Sequence, residues 1–229
     1  MTASIERAKG AAPGSARLGA TRHQLRADAQ RNHARVLEAA RAVFAEQGID
    51  APMTLIAEHA GVGIGTVFRR FPTKQDLVVA LVQQRGEQLV EAAEAALASD
   101  KPGDAFRSFV SLAAEQQIRD RGFCDSIGTQ LFAREDLREL FDGVRERVGR
   151  MLDRAIEARE VRSDIVAADV LFVLHGVART GLMLEDGAPG VWRRYLGLAL
   201  DGLRPEAATA LPRKAPTKRQ VDNAACGGG

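Results

Sequence analysis

Cysteine is scarce in this sequence: Cys124 and Cys226 are the only two among 229 residues. Two isolated thiols supply neither a disulfide framework nor a metal-ligand spacing, so we expect no metal site and a reducing compartment, the cytoplasm. Long apolar runs are missing too. The most apolar stretch, VLFVLHGVA at residues 170–178, is too short to span a bilayer, and the N-terminal residues contain no apolar signal segment. We therefore expect no contact with a membrane.

Aromatic residues make up only 5% of the chain, and the formal net charge is a nearly balanced +2. Aromatic and β-branched runs are few, whereas Ala, Leu, Glu, Arg and Gln dominate long stretches, a composition that favours an all-α fold. The four histidines, His23, His33, His59 and His175, have no spacing that indicates a catalytic or metal-binding set. We expect neither an enzyme nor a cofactor.

About nine helices are predicted between two arms of the chain. Residues 1–22 and the tail 205–229 are rich in small and basic residues without an apolar period, and we predict that both are disordered. Apolar residues recur at helical spacing from Val36 to Phe44 and predict a first helix over residues 26–47. Breaks at Gly, Pro, Asp and Ser then divide the rest of the chain. A second helix is predicted over residues 55–60, and a third short helix follows the glycine turn and ends at residue 71. Further helices are predicted over residues 73–98, 104–119, 123–132, 136–159, 167–184 and 191–202.

Two short predicted helices flank a glycine turn in the sequence TLIAEHAGVGIGTVFRRFPTKQDL, residues 54–77. Thr54 is predicted to cap the first helix, residues 61–63 form the turn, and Pro72 ends the second helix. This is the geometry of helix-turn-helix DNA readers, whose second helix enters the major groove. The pattern predicts a DNA-binding domain at residues 23–72, followed by a helical bundle at residues 73–204.

The second of these helices carries a candidate reading surface. Glycines at its start let the backbone approach DNA, its arginines suit phosphates, and Thr73 opens the next helix with a capping box that leaves a second anion site. Phosphate contact is the favoured role of the two arginines in this context. The predicted DNA-binding residues are Thr54, Gly63, Ile64, Gly65, Thr66, Phe68, Arg69, Arg70, Thr73 and Lys74.

Residues 26–80 resemble the TetR family of bacterial one-component repressors, and the later helices are similar to the SbtR-like branch of that family. Two positions depart from the family pattern: Gly63 replaces a usual serine and Phe68 a usual tyrosine, so two hydroxyls are missing. DNA affinity would then depend on the arginines, Lys74 and helix-end amides, or Phe68 would contact a thymine methyl. The matching positions are Ala60, Gly61, Val62, Gly63, Ile64, Gly65, Thr66, Val67, Phe68, Phe71 and Lys74.

The resemblance implies a homodimeric repressor that binds a palindromic double-stranded DNA operator and is released by a small-molecule effector. The last two helices, around residues 171–184 and 192–203, would pair with their copies in the dimer. The alternative is a C-terminal bundle that binds a protein partner and no small ligand, which a filled core with an exposed apolar groove would favour. The aromatic residues of the bundle are most simply interpreted as core residues. Five of them, with one histidine, could instead line an effector pocket: Phe106, Phe109, Phe123, Phe132, Phe172 and His175.

Overall fold

The protein folds into helices throughout the residues that the computed structural model describes, which are 14–120, 134–185, 187–217 and 219–221. No strand occurs in these ranges, so the all-α prediction is confirmed. The elements are α1 (Gly14–Gln47), α2 (Met53–Ala60), α3 (Ile64–Arg70), α4 (Lys74–Leu97), α5 (Pro102–Arg119), α6 (Glu135–Glu157), α7 (Ala167–Leu184), α8 (Trp192–Gly202) and a 3-10 helix (Pro205–Ala207).

Two predicted boundaries need correction. Helix α1 begins at Gly14 and not at Arg26, so residues 14–22 belong to a helix and not to a disordered arm. Ala, Arg and Leu favour a helix there, but they form no apolar stripe, and an apolar period was the signal behind the prediction. The tail predicted to be disordered begins with the 3-10 helix, and the buried Arg162 side chain donates to the Thr209 carbonyl. The predicted helix at 123–132 lies outside the described residues.

The first four helices enclose one apolar core, which we call the head core. It contains the buried face of α1, the inner sides of α2 and α3, and the first half of α4. Leu137 of α6 also belongs to this core, where it is almost fully buried. The principal members are Val36, Leu37, Val43, Phe44, Ile56, Val67, Phe71, Leu77, Leu81 and Leu137.

The remaining helices enclose a second core, the body core, which α4 joins through Leu89 and Ala93. Helix α4 therefore contributes to both cores. Where it passes from one to the other, Gly86 faces α6, and a Cβ atom at this position would lie 2.4 Å from Leu140 Cδ2. A contact this short would force the Leu140 side chain to move, so the glycine allows the close crossing of α4 and α6 seen here.

Candidate nucleic-acid interface

The turn between α2 and α3 is fixed by backbone geometry. Gly61 has the left-handed φ of 60°, and the Val62 amide donates to the Ala57 carbonyl at 3.1 Å, which ends α2. A glycine is needed at position 61 because a left-handed conformation is strained for other residues. A Cβ atom there would also lie 2.6 Å from the Arg35 guanidinium of α1, a flexible group. Helix α3 then starts at Ile64 with Gly63 as its N-cap residue.

Helix α3 is buried on one side and exposed on the other. Val67 is fully buried in the head core, and Phe71, which follows the helix, is buried beside it. On the outer side Ile64 is 37% and Phe68 47% exposed, four residues apart and therefore on one face. The outer residues predicted to contact DNA are Ile64, Gly65, Phe68, Arg69 and Arg70, all exposed, with Thr66 half-buried.

Two glycines of this surface have no packing role within the protein. A Cβ atom on Gly63 or on Gly65 would meet no atom within 4 Å. Gly63 has an extended conformation, with φ −65° and ψ 142°, that any residue adopts, and Gly65 lies in the helix. Neither glycine is therefore explained by the fold, and both leave free space for a molecule that approaches from outside.

Arg70 is held by a histidine that the sequence did not connect with the site. Its Nε donates to Nδ1 of His33 at 3.4 Å, and the His33 ring stacks on Phe71 with the ring centres 5.4 Å apart. Burial, and then the nearby Arg70 guanidinium, lower the pKa of His33 below its ordinary value. The available signal was spacing, because His33 precedes Val36 and Leu37 by one helical turn on the same side of α1.

The start of α4 has the predicted capping box. The Asp76 amide donates to Thr73 Oγ1 at 3.1 Å, and the Thr73 amide donates to Asp76 Oδ2 at 2.9 Å. The Thr73 hydroxyl also donates to Asp76 Oδ2 at 2.7 Å, so this hydroxyl is already engaged within the protein. Lys74, in the first turn and half-buried, is the cation at this helix end.

Thr54 does not cap α2, contrary to the sequence-based expectation. The N-cap residue is Pro52 in an extended conformation, and Thr54 is the second residue of the helix with an exposed side chain. Proline is well suited to this end of a helix because it fixes φ and no bond is lost with its missing N–H. Thr54 thus lies on the exposed side of the first turn of α2, where its hydroxyl faces solvent.

The structure separates the residues predicted to line an effector pocket. Phe106 and Phe109 are buried in the body core, whereas Phe172 is 50% exposed and His175 lies on an exposed surface next to Gln117. These four therefore do not line one enclosed cavity, and Phe123 and Phe132 lie outside the described residues. The described surface has an open depression of about 380 Å³ beside Trp192 and Arg193, and within the same ranges no His, Cys, Asp and Glu side chains gather as metal ligands do.

Family models match two parts of the chain. Residues 36–81 match the model described as bacterial regulatory proteins of the tetR family, and residues 101–205 match the SbtR-like transcriptional regulator C-terminal domain. An HTH-type transcriptional regulator of Staphylococcus aureus is 38% identical over 61 residues, which are 26% of this chain and 33% of that protein. The chain thus aligns with about a third of the length of such curated relatives.

Solved structures extend the similarity over most of the chain. A TetR transcription regulatory protein from Mycobacterium vanbaalenii is 36% identical, with 79% of this chain and 99% of that one covered and a TM-score of 0.60. The regulator SCO0520 from Streptomyces coelicolor is 32% identical, with 76% and 98% covered and a TM-score of 0.61. FadR from Bacillus subtilis, solved with stearoyl-CoA, is 18% identical over 74% of this chain and 98% of that one, with a TM-score of 0.55, and shows the fold alone.

Proposed function

Since the chain belongs to the TetR family of bacterial transcriptional regulators, we propose that it is a repressor that binds a palindromic operator as a homodimer. One observation carries the proposal. Helix α3 has a fully buried inner residue, Val67, and an outer surface of exposed residues that includes Ile64 and Phe68. A helix fixed in this way can enter the major groove without rearrangement of the protein.

We assign two roles within the predicted contact set. Ile64, Thr66 and Phe68 lie toward the base edges, where an apolar side chain suits a thymine methyl. Arg69 and Lys74 bind phosphates, and the helix-end amides at Gly63 add a further donor set. Arg70 joins them through its outer nitrogens, since its Nε faces His33. Thr54 and Thr73 lie at the edges of this surface. Because the Thr73 hydroxyl already donates to Asp76, Lys74 is the side chain that binds phosphate at the start of α4.

The test of DNA binding is selection of operators from random double-stranded DNA with the full chain. We expect enrichment of an inverted repeat, because two-fold symmetry of the protein requires two-fold symmetry of the site. Repeating the selection with Ile64→Ala should change the preferred bases in each half-site. Failure to enrich any sequence would contradict the proposal.

We propose that α7 and α8 form the dimer interface. Among the described helices, α7 is the one whose length and composition would let it cross a membrane. Only 28% of this helix is buried inside the protein. Phe172, Met183 and Leu198 are exposed on α7 and α8, with Met183 84% accessible. Pairing with a second copy would remove these apolar side chains from water. The two helices already form a close pair, because a Cβ atom on Gly181 would lie 2.6 Å from Trp192 Cβ.

Light scattering at micromolar concentration tests the dimer. We expect a dimer for the parent and a shift toward monomer for Leu198→Glu, since a buried unpaired carboxylate is strongly unfavourable. Leu211→Glu is the matched control, because Leu211 is an exposed leucine outside these helices. A monomeric parent would refute the assignment of this surface.

We further propose that an apolar small molecule releases the operator by favouring a different arrangement of the body. The structural neighbour FadR was solved with stearoyl-CoA, a ligand with an apolar acyl chain, and Phe106 and Phe109 contribute to the apolar body core of this chain. The second candidate is a protein partner, favoured by the open form of the depression beside Trp192. Operator mobility shifts with a panel that includes stearoyl-CoA separate the two, because only a ligand-controlled regulator loses DNA in the absence of other proteins.

A further inference from the structure

A buried carboxylate lies between the head core and the body core. Asp120 follows the last residue of α5, and its side chain is only 3% exposed. An ionised carboxylate is rarely buried unless it is paired, because its removal from water is unfavourable.

The partners of Asp120 come from two other helices. Arg41 of α1 approaches with its Nε 2.9 Å from Asp120 Oδ1, and Arg85 of α4 with its Nε 3.8 Å from Asp120 Oδ2. Arg41 also donates to Gln84 Oε1 of α4 at 3.3 Å and lies 3.8 Å from Glu38. Both arginine side chains are largely buried, at 12% and 16% exposure. We call Asp120, Arg41 and Arg85 the junction cluster.

The junction cluster differs physically from the cores on either side. Apolar packing is not directional, whereas each ion pair holds one charged atom opposite another, and the hydrogen bond from Arg41 to Gln84 adds a preferred angle. In the described part of the chain, the cluster connects the head helix α1 to the residue that follows the body helix α5, and Arg85 adds α4 at the position next to Gly86, where α4 leaves the head core. Burial raises the pKa of Asp120, opposed by Arg85, Arg41 and Arg119.

We propose that Asp120 is a positioning residue for DNA recognition, which sets the orientation of the head on the body through Arg41 and Arg85. This rests on the proposed function, since a symmetric dimer reads two half-sites about 34 Å apart and tolerates little error in the placement of each α3. A body change that moves the C-terminal end of α5 then reaches the head through these charged contacts.

The experiment compares Asp120→Asn with Asp142→Asn in the full chain. Asn keeps the shape of the side chain but removes the charge. Asp142 is the control, because it forms a more exposed ion pair with Arg145 on α6. Affinity is measured for the selected operator and for random DNA, and amide hydrogen exchange is followed across residues 83–88.

For Asp120→Asn we expect at least a tenfold loss of operator affinity, affinity for random DNA within twofold of the parent, and at least tenfold faster exchange at residues 83–88. Asp142→Asn should match the parent in all three measurements. Operator affinity within twofold of the parent, or unchanged exchange, would overturn the proposal. An equal loss for operator and random DNA would also overturn it, because that result means damage to the α3 surface and not misplacement of the head.

A second variant covers the case in which Asp120→Asn fails to fold. Arg85→Gln leaves the closer pair of Arg41 and Asp120 in place and should give the same pattern with a smaller loss. If the parent binds no DNA at all, the proposed function fails; the exchange measurement then still decides whether the junction cluster holds α4.

Discussion

Replacing Gly65 by alanine should stabilise the protein and weaken its DNA binding at the same time. Gly65 is the second residue of α3, and a Cβ atom there would meet no protein atom within 4 Å. Alanine is favoured over glycine in a helix by roughly 0.5–1 kcal/mol. For a chain of this size we therefore expect the Tm to rise by about 1–4 °C.

DNA binding should respond in the opposite direction. Ile64 and Phe68 flank Gly65 on the exposed side of α3, so an added methyl group would lie between this surface and the DNA. We expect at least a tenfold loss of operator affinity, which corresponds to about 1.4 kcal/mol. Fluorescence anisotropy with the selected operator measures this loss, and differential scanning calorimetry measures the Tm.

Gly149→Ala is the control for this experiment. Gly149 lies in α6, and a Cβ atom there would also meet nothing within 4 Å. The control should show a comparable rise in Tm with unchanged operator affinity. If Gly65→Ala bound the operator as the parent does, close backbone approach at this position would be refuted. A fall in its Tm would show instead that the space around Gly65 is needed by the fold.

Three further predictions concern the same surface. Arg69→Ala and Lys74→Ala should each weaken binding to operator and random DNA alike. Each should also reduce the magnitude of the slope of log K for DNA binding against log salt concentration by about 0.9, the value for one phosphate contact. Salt titrations with the parent's slope would contradict the assignment of these two residues to phosphate. Gly63→Ser should raise operator affinity by roughly two- to tenfold, the range of one added hydrogen bond, and an anisotropy titration that shows no gain would place position 63 away from phosphate. His33 should reduce stability in acid, because its folded pKa is lowered: as the pH falls through about 6.5 the unfolded chain binds the proton first. Urea unfolding at pH 7.5 and 5.0 should show a smaller acid loss for His33→Gln than for the parent, and equal losses would exclude this role.

The sequence predicted helix ends correctly where a residue type is favoured for a single conformational property. Gly61 and Pro72 predicted the ends of α2 and α3, and Thr73 with Asp76 predicted the start of α4, because a positive φ, a ring constraint and a capping box act within a few residues. The start of α1 was missed for the converse reason. A helix without an apolar stripe leaves no periodic signal, even when its residues favour the helix.

The long-range features could not be predicted from the sequence. The apolar run around Phe172 and His175 left a core, a dimer interface and a pocket-lining segment open, and which of its side chains are exposed becomes evident only once α5 and α8 are placed against α7. Asp120 resembles any surface acid at the end of a helix, and its burial arises from α1 and α4, 79 and 35 positions earlier at Arg41 and Arg85. Pairings at such separations follow from the packing of whole helices, which no local pattern encodes.

The presence of Leu137 in the head core has a consequence for the modularity of this protein. Leu137 is contributed by α6, yet it is 1% exposed among side chains of α1 to α4. A fragment that stopped at the end of α4 would leave an apolar hollow open to water at this point. Exchange of DNA-binding units between relatives, in evolution or by fusion in the laboratory, is therefore compatible with this architecture only when the recipient bundle supplies a side chain of similar size and apolarity to close the donor unit.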